Sequence, residues 1–144
     1  MVNGIVRPRA ASAYAWLIAL AAVTVIAQAL LFGGFYWEGG EWIRAHLQLG
    51  RISTSLVVAV ITPLAFFAGF PRQSHIARMT VVLAMLWLLQ TGLGDATNSA
   101  RWLVVIHVPL VFVIFGLAVL LTSKAHRALK GYGPAAFDGG EGAQ

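Results

Sequence analysis

Residues 12–34 read SAYAWLIALAAVTVIAQALLFGG, 23 consecutive positions without a charge. A helix needs roughly 20 mostly apolar residues to cross the hydrocarbon core of a bilayer. Backbone amides find no water there, so a run of this length reads as helix with its amides paired inside the segment. Arg7 and Arg9 precede it, which is the outline of a signal peptide. The apolar stretch, however, extends from about Ala10 to Phe35, longer than the roughly 7–15 residues of a signal h-region. It is therefore read as a first membrane span.

Three further stretches qualify on the same ground: residues 45–70, 76–93 and 100–123. The fold expected is all-α, an integral membrane four-helix bundle occupying residues 1–130. Pro63 and Pro109 fall inside spans two and four, where the missing amide hydrogen and the ring favour a kink. Composition agrees: of 144 residues, 59% are hydrophobic and 10% charged, against about 25% charged in a soluble domain. The first connection, Phe35-Tyr36-Trp37-Glu38-Gly39-Gly40-Glu41-Trp42, is aromatic and suits a segment lying at the headgroup interface. Residues 131–144 show no periodicity and read as a disordered cytoplasmic tail.

The net charge is +5, but the basic residues sit between apolar runs and at the chain ends, with no continuous basic face for nucleic acid. Arg7, Arg9, Arg72, Arg78, Lys124, Arg127 and Lys130 all fall on one side of the expected bundle. Arg44, Arg51 and Arg101 fall on the other, offset by Glu38, Glu41 and Asp95. An excess of Lys and Arg marks the cytoplasmic side. The expected placement is the cell membrane, multi-pass, with both termini cytoplasmic.

The two halves of the chain repeat each other weakly. Gln28 in span one precedes His46 by 18 residues, and Gln90 in span three precedes His107 by 17. Each polar pair falls in the outer half of the bundle, at similar depth. Polar side chains are costly in lipid unless they face the interior and find partners. Two histidines at matching depth on spans two and four suit the axial positions of one heme, which a four-helix bundle can hold between facing helices. Gly50, one turn beyond His46, leaves room for a flat ring. Arg51 and Arg101 stand at the outer rim, suited to heme propionates. With no cysteine, covalent heme attachment and thiolate sites are excluded, and two histidines fall short of the three or four ligands of a zinc site. Plainer roles stand beside these: His46 as an interfacial residue, His107 as a buried structural histidine, Gln28 and Gln90 as hydrogen-bond links between helices, and the arginines as interface anchors. His75 and His126 read as solvated residues beside basic neighbours, and Thr54 and Ser55 as bonded back to their own helix.

The stretch Leu88-Leu89-Gln90-Thr91-Gly92-Leu93-Gly94, followed by Val104-Val105-Ile106-His107, resembles the third and fourth helices of one half of heme A synthase. The resemblance covers about residues 20–122 and rests on short motifs. It implies heme-ligating histidines on the second and fourth helices, which His46 and His107 match by helix order. The family's glutamate three residues before the second-helix histidine and arginine directly after it are replaced here by Ile43 and Leu47. Its paired outer cysteines are absent, and one half alone is present. The resemblance thus implies a heme-binding bundle and speaks against heme hydroxylation. The Gln…His repeat is also similar to that of small four-helix membrane proteins of unknown function.

The reading that follows is a membrane b-type cytochrome with one bis-histidine heme b near the outer face, serving electron transfer or heme handling. Its partners would be the lipid bilayer and a quinol or an external redox protein. No reaction is assigned. The alternative is a cofactor-free anchor or accessory subunit of a larger membrane complex, its small residues packing against other subunits.

Overall fold

The computed structural model describes residues 6–38, 40–71 and 74–131, with the side chains of residues 35–38 excepted. Helix α1 runs Pro8–Glu38 and α2 runs Gly40–Ser55. A π-helical turn, Leu56–Ile61, carries α2 directly into α3, Thr62–Phe67. Helix α4 covers Ile76–Ala96, and a 3₁₀ turn at Arg101–Leu103 opens into α5, Val104–Lys130. No strand occurs among the described residues. Four helical spans are long and apolar enough to cross a membrane: Pro8–Gly34, Gly40–Phe67, Ile76–Ala96 and Arg101–Lys130.

The helices outrun the apolar runs that announce them. Apolar composition marks only the hydrocarbon depth, whereas Arg, Lys and Glu are good helix formers that prolong a helix past it. The first connection differs most. Helix α1 continues to Glu38 and α2 begins at Gly40, so the expected surface segment is helical on both sides of Gly39, which lies outside the described residues. The side chains of Tyr36, Trp37 and Glu38, the placement of Arg72, and the tail beyond Gly131 lie outside the described residues.

The π turn has a local cause. Pro63 has no amide hydrogen, and its ring crowds the carbonyl four residues back. The chain widens by one residue immediately before it, where the amide and the hydroxyl of Thr62 both reach the Val57 carbonyl, the hydroxyl at 2.8 Å. Pro109 lies within α5 and deprives the Val105 carbonyl of its helical donor.

Each span packs against its neighbours in sequence, and span one closes the ring against span four. Spans one and three therefore stand on one diagonal, two and four on the other. In the half of the bundle nearest the termini the interior is filled. Ala15 and Ala22 of α1 share one buried cluster with Ala118 and Ala125 of α5, small side chains that let two helices approach closely. Tyr14 and Thr80 hydrogen-bond across the diagonal at 2.6 Å, and the Tyr14 ring meets Phe70 edge-on at 5.2 Å. Arg7 ties the start of the chain to the far end of α3: its amide donates to Ala68 O at 3.0 Å and its guanidinium lies 4.0 Å from the Phe67 ring. Buried apolar side chains end at one level, marked by Val25, Val57, Trp87 and Ile114 on the four spans. Beyond that level the helices line a cavity.

Thr80 is fully buried and already donates to Ile76 O at 2.8 Å, so the Tyr14 hydroxyl depends on it as an acceptor. Replacing Thr80 with Val leaves that hydroxyl buried and unpaired. The expected cost is about 1–3 kcal/mol, measured as a lower midpoint in detergent-induced unfolding; an unchanged midpoint would show that the bond contributes nothing.

Candidate functional site

The cavity measures about 190 Å³ and sits at the end of the bundle away from the termini. Val25, Trp87 and Ile114, where the filled core stops, form its floor. His46, Gly50, Arg51, Gln28, Gln90 and His107 all line it. The sixfold convergence joins residues from every span. Arg101 does not line the cavity: it opens the 3₁₀ turn and is exposed, its long side chain free to reach the interface.

His46 is half-buried in the second turn of α2, on the opposite corner of the bundle from His107. Its Nδ1 lies 3.0 Å from the Gln28 carbonyl oxygen. A carbonyl can only accept, so Nδ1 carries the hydrogen and Nε2 carries the lone pair. This is how proteins orient a metal-ligating imidazole, with one nitrogen donating to a carbonyl and the other left free. The ring also stands 5.9 Å from that of Phe32. The Gln28 side chain goes elsewhere, its Nε2 donating to Ser53 Oγ at 3.2 Å. Gly50 makes this possible, because a Cβ there would come within 3.3 Å of Gln28 Oε1.

His107 is held differently. Gln90 Nε2 lies 3.1 Å from His107 Nε2. An amide nitrogen donates, so Nε2 accepts and the hydrogen sits on Nδ1. Both His107 Nδ1 and Gln90 Oε1 are then buried without a partner. Turning the amide over exchanges the roles and still leaves one ring nitrogen and one amide atom unpaired. A buried group in that position costs about 1–3 kcal/mol, which a polar or metal-bearing ligand in the cavity would offset. Gly94 presses against the same ring: a Cβ there would stand 3.1 Å from His107 Cε1.

Spans two and three are joined beside the cavity by Thr54 and Thr91, whose hydroxyls lie 2.6 Å apart, and by Arg51 and Asp95, 3.6 Å apart. The ion pair is more than half exposed on both sides and is worth about 0–1 kcal/mol. Thr54 gives its one hydroxyl hydrogen to Gly50 O and so accepts from Thr91, while Ser55 donates to Arg51 O. Thr91, Gly94, Asp95, Ser53 and Trp87 are site residues that reading the sequence did not single out as such. Their one signal lay in the run Gln90-Thr91-Gly92-Leu93-Gly94-Asp95, polar and small residues at the end of an apolar span. Arg44 pairs with Glu41 on the exposed face of α2. His75 and His126 are exposed at the opposite end: His75 contacts Arg78, and the His126 ring lies 6.2 Å from that of Trp16. Among the described residues, no group of three or more His, Cys, Asp or Glu side chains converges on a metal-sized site.

No protein-family profile, no curated protein and no solved structure matches the chain.

A Cβ added at Gly94 stands 3.1 Å from His107 Cε1, so the ring must give by a few tenths of an ångström. Gly94→Ala should displace that imidazole and destabilise the bundle by about 1–3 kcal/mol, as overpacking does. The measurement is the ¹⁵N resonances of His107 together with the unfolding midpoint; wild-type values for both would show that the close approach does not constrain the ring.

Proposed function

We propose that the chain is a membrane b-type cytochrome that binds one heme between spans two and four, His46 and His107 being the axial ligands. The observation that carries this reading is that two histidines on diagonally opposed spans line one cavity: among the described residues His46 Nε2 has no protein partner, and His107 Nε2 is held only by the Gln90 side chain. Gly50 and Gly94 make room for the side chains of Gln28 and His107 themselves. Gln28 holds His46 through its carbonyl, and Gln90 holds His107 through its side chain. The two helix pairs are in this sense weak repeats of one unit. A ligand arriving at His107 Nε2 displaces the Gln90 amide. Arg51, which lines the cavity, is the cation available to a propionate, with Asp95 tempering its charge. Arg101 is left as an interface anchor.

Heme supplies one-electron redox chemistry, and two histidine ligands fill both axial positions, which suits electron transfer or heme handling. The protein's own contribution is to fix ring orientation, exclude water and set local charge. By the distribution of Lys and Arg, both termini are cytoplasmic and the cavity lies toward the outer face of the cell membrane, where a quinol or an external redox protein would meet it. Reporter fusions at each terminus test this arrangement: alkaline phosphatase should be inactive and a cytoplasmic fluorescent protein bright at both ends, and the reverse at either end refutes it.

A second reading is favoured by the Gln90–His107 bond itself. In it the polar side chains serve one another, and the chain is a cofactor-free subunit or anchor within a larger membrane assembly. Absorption spectra separate the two. The purified protein should show a Soret band and, after dithionite, sharp α and β bands of a six-coordinate heme. His46→Ala and His107→Ala should each abolish that spectrum, while His75→Ala leaves it intact. A colourless protein that stays colourless with added hemin discards the cytochrome reading and leaves the subunit reading.

A further inference from the structure

Four seams between adjacent spans surround the cavity, and three of them carry polar bonds at its level. Spans one and two are joined by Gln28 to Ser53 at 3.2 Å and by His46 to the Gln28 carbonyl at 3.0 Å. Spans two and three are joined by Thr54 with Thr91 at 2.6 Å and by Arg51 with Asp95 at 3.6 Å. Spans three and four are joined by Gln90 with His107 at 3.1 Å. Among the described residues, no such hydrogen bond or ion pair joins spans one and four at this level. Their seam is bordered by Ala29 on α1 and by Val108 and Phe112 on α5, all of which line the cavity and are also exposed on the outside of the bundle. Phe112 is 71% exposed and Val108 40%. Nearer the termini the same two spans are packed shut through Ala15, Ala22, Ala118 and Ala125.

An apolar mouth on the side of a membrane bundle opens to lipid, not to water. Apolar side chains there cost nothing in hydrocarbon, whereas water passing through the same mouth would find no hydrogen-bond partner. An acyl chain fits the mouth but satisfies none of the polar atoms within: the His46 Nε2 lone pair, His107 Nδ1 and Gln90 Oε1. A membrane-dissolved flat ring system carrying a ligand-binding metal passes the apolar mouth and meets a lone pair within, that of His46 Nε2. We infer that the seam between spans one and four is a lateral portal through which heme passes between the lipid phase and the cavity. The inference rests on the heme reading and adds the source of the cofactor and its route.

The test follows hemin transfer by the rise of the Soret band. The whole apo chain is reconstituted in phosphatidylcholine vesicles and mixed with a second vesicle population preloaded with hemin; release is followed by transfer to an excess of heme-free globin. Phe112→Ala widens the mouth and should raise both rates several-fold. Val108→Trp narrows it and should lower both by about tenfold, as when association must await a conformational change. Both variants should reach the wild-type spectrum at equilibrium, because neither residue holds the iron. Equal rates in wild type and in Phe112→Ala overturn the portal, and that variant decides the matter alone if Val108→Trp does not fold. A wild-type chain that takes up no hemin overturns the heme reading and the portal with it, whereas wild-type uptake at rates indifferent to both substitutions overturns the portal only.

Discussion

Between spans two and three the hydroxyls of Thr54 and Thr91 lie 2.6 Å apart, on helices apolar enough to cross a membrane. That constraint governs the whole half of the bundle away from the termini. Each polar side chain on an apolar span must turn inward and meet a group on a neighbouring helix. Gln28 meets Ser53, His46 meets the Gln28 carbonyl, and Gln90 meets His107. Individually such bonds contribute little, about 0.6 kcal/mol on average in membrane helices. Their larger effect is on register. Rotating one helix by a single residue turns its side chains by about 100°, which would carry Gln28 or Gln90 out toward lipid. Polar contacts therefore select the arrangement that small-residue packing alone leaves open.

The two halves of the bundle do different work. Toward the termini, alanines on α1 and α5 bring the helices together, and Tyr14, Leu83, Ile61 and Leu121 fill the space between. Toward the other end the buried apolar side chains stop and a cavity begins. A cavity in a close-packed interior forfeits dispersion contacts along its lining. The dense half supplies the rigidity against which the open half can be held, with Trp87 at the junction, buried in the core and yet lining the cavity floor. The glycines belong to this arrangement through the space they leave: Gly50 for the Gln28 amide, Gly94 for the His107 ring.

The two histidines are not equivalent, although the sequence repeat makes them look so. His46 is oriented by a backbone carbonyl, an acceptor whose position the helix itself maintains. His107 is oriented by the Gln90 side chain, which can turn. One side of the cavity is thus preset and the other adjustable, and the unpaired atoms lie on the adjustable side.

Much of the architecture was legible in the chain before any coordinates. Four apolar runs of spanning length require four helices, because lipid offers the backbone no other partner. The Gln-to-His spacings of 18 and 17 residues bring those side chains back to a common depth, since a helix, a short connection and a returning helix are all that intervene. Helix ends were less legible: composition registers the hydrocarbon layer, not where hydrogen bonding stops, so α1 runs on to Glu38 and α2 starts at Gly40, beyond the apolar runs that announce them. Spans two and four facing each other across the diagonal, the pairing of Arg51 with Asp95, and the exclusion of Arg101 from the cavity were decided by tertiary structure. They depend on how the helices are rotated about their axes and on which seams carry polar bonds, and a one-dimensional pattern specifies depth along a helix far better than direction around it.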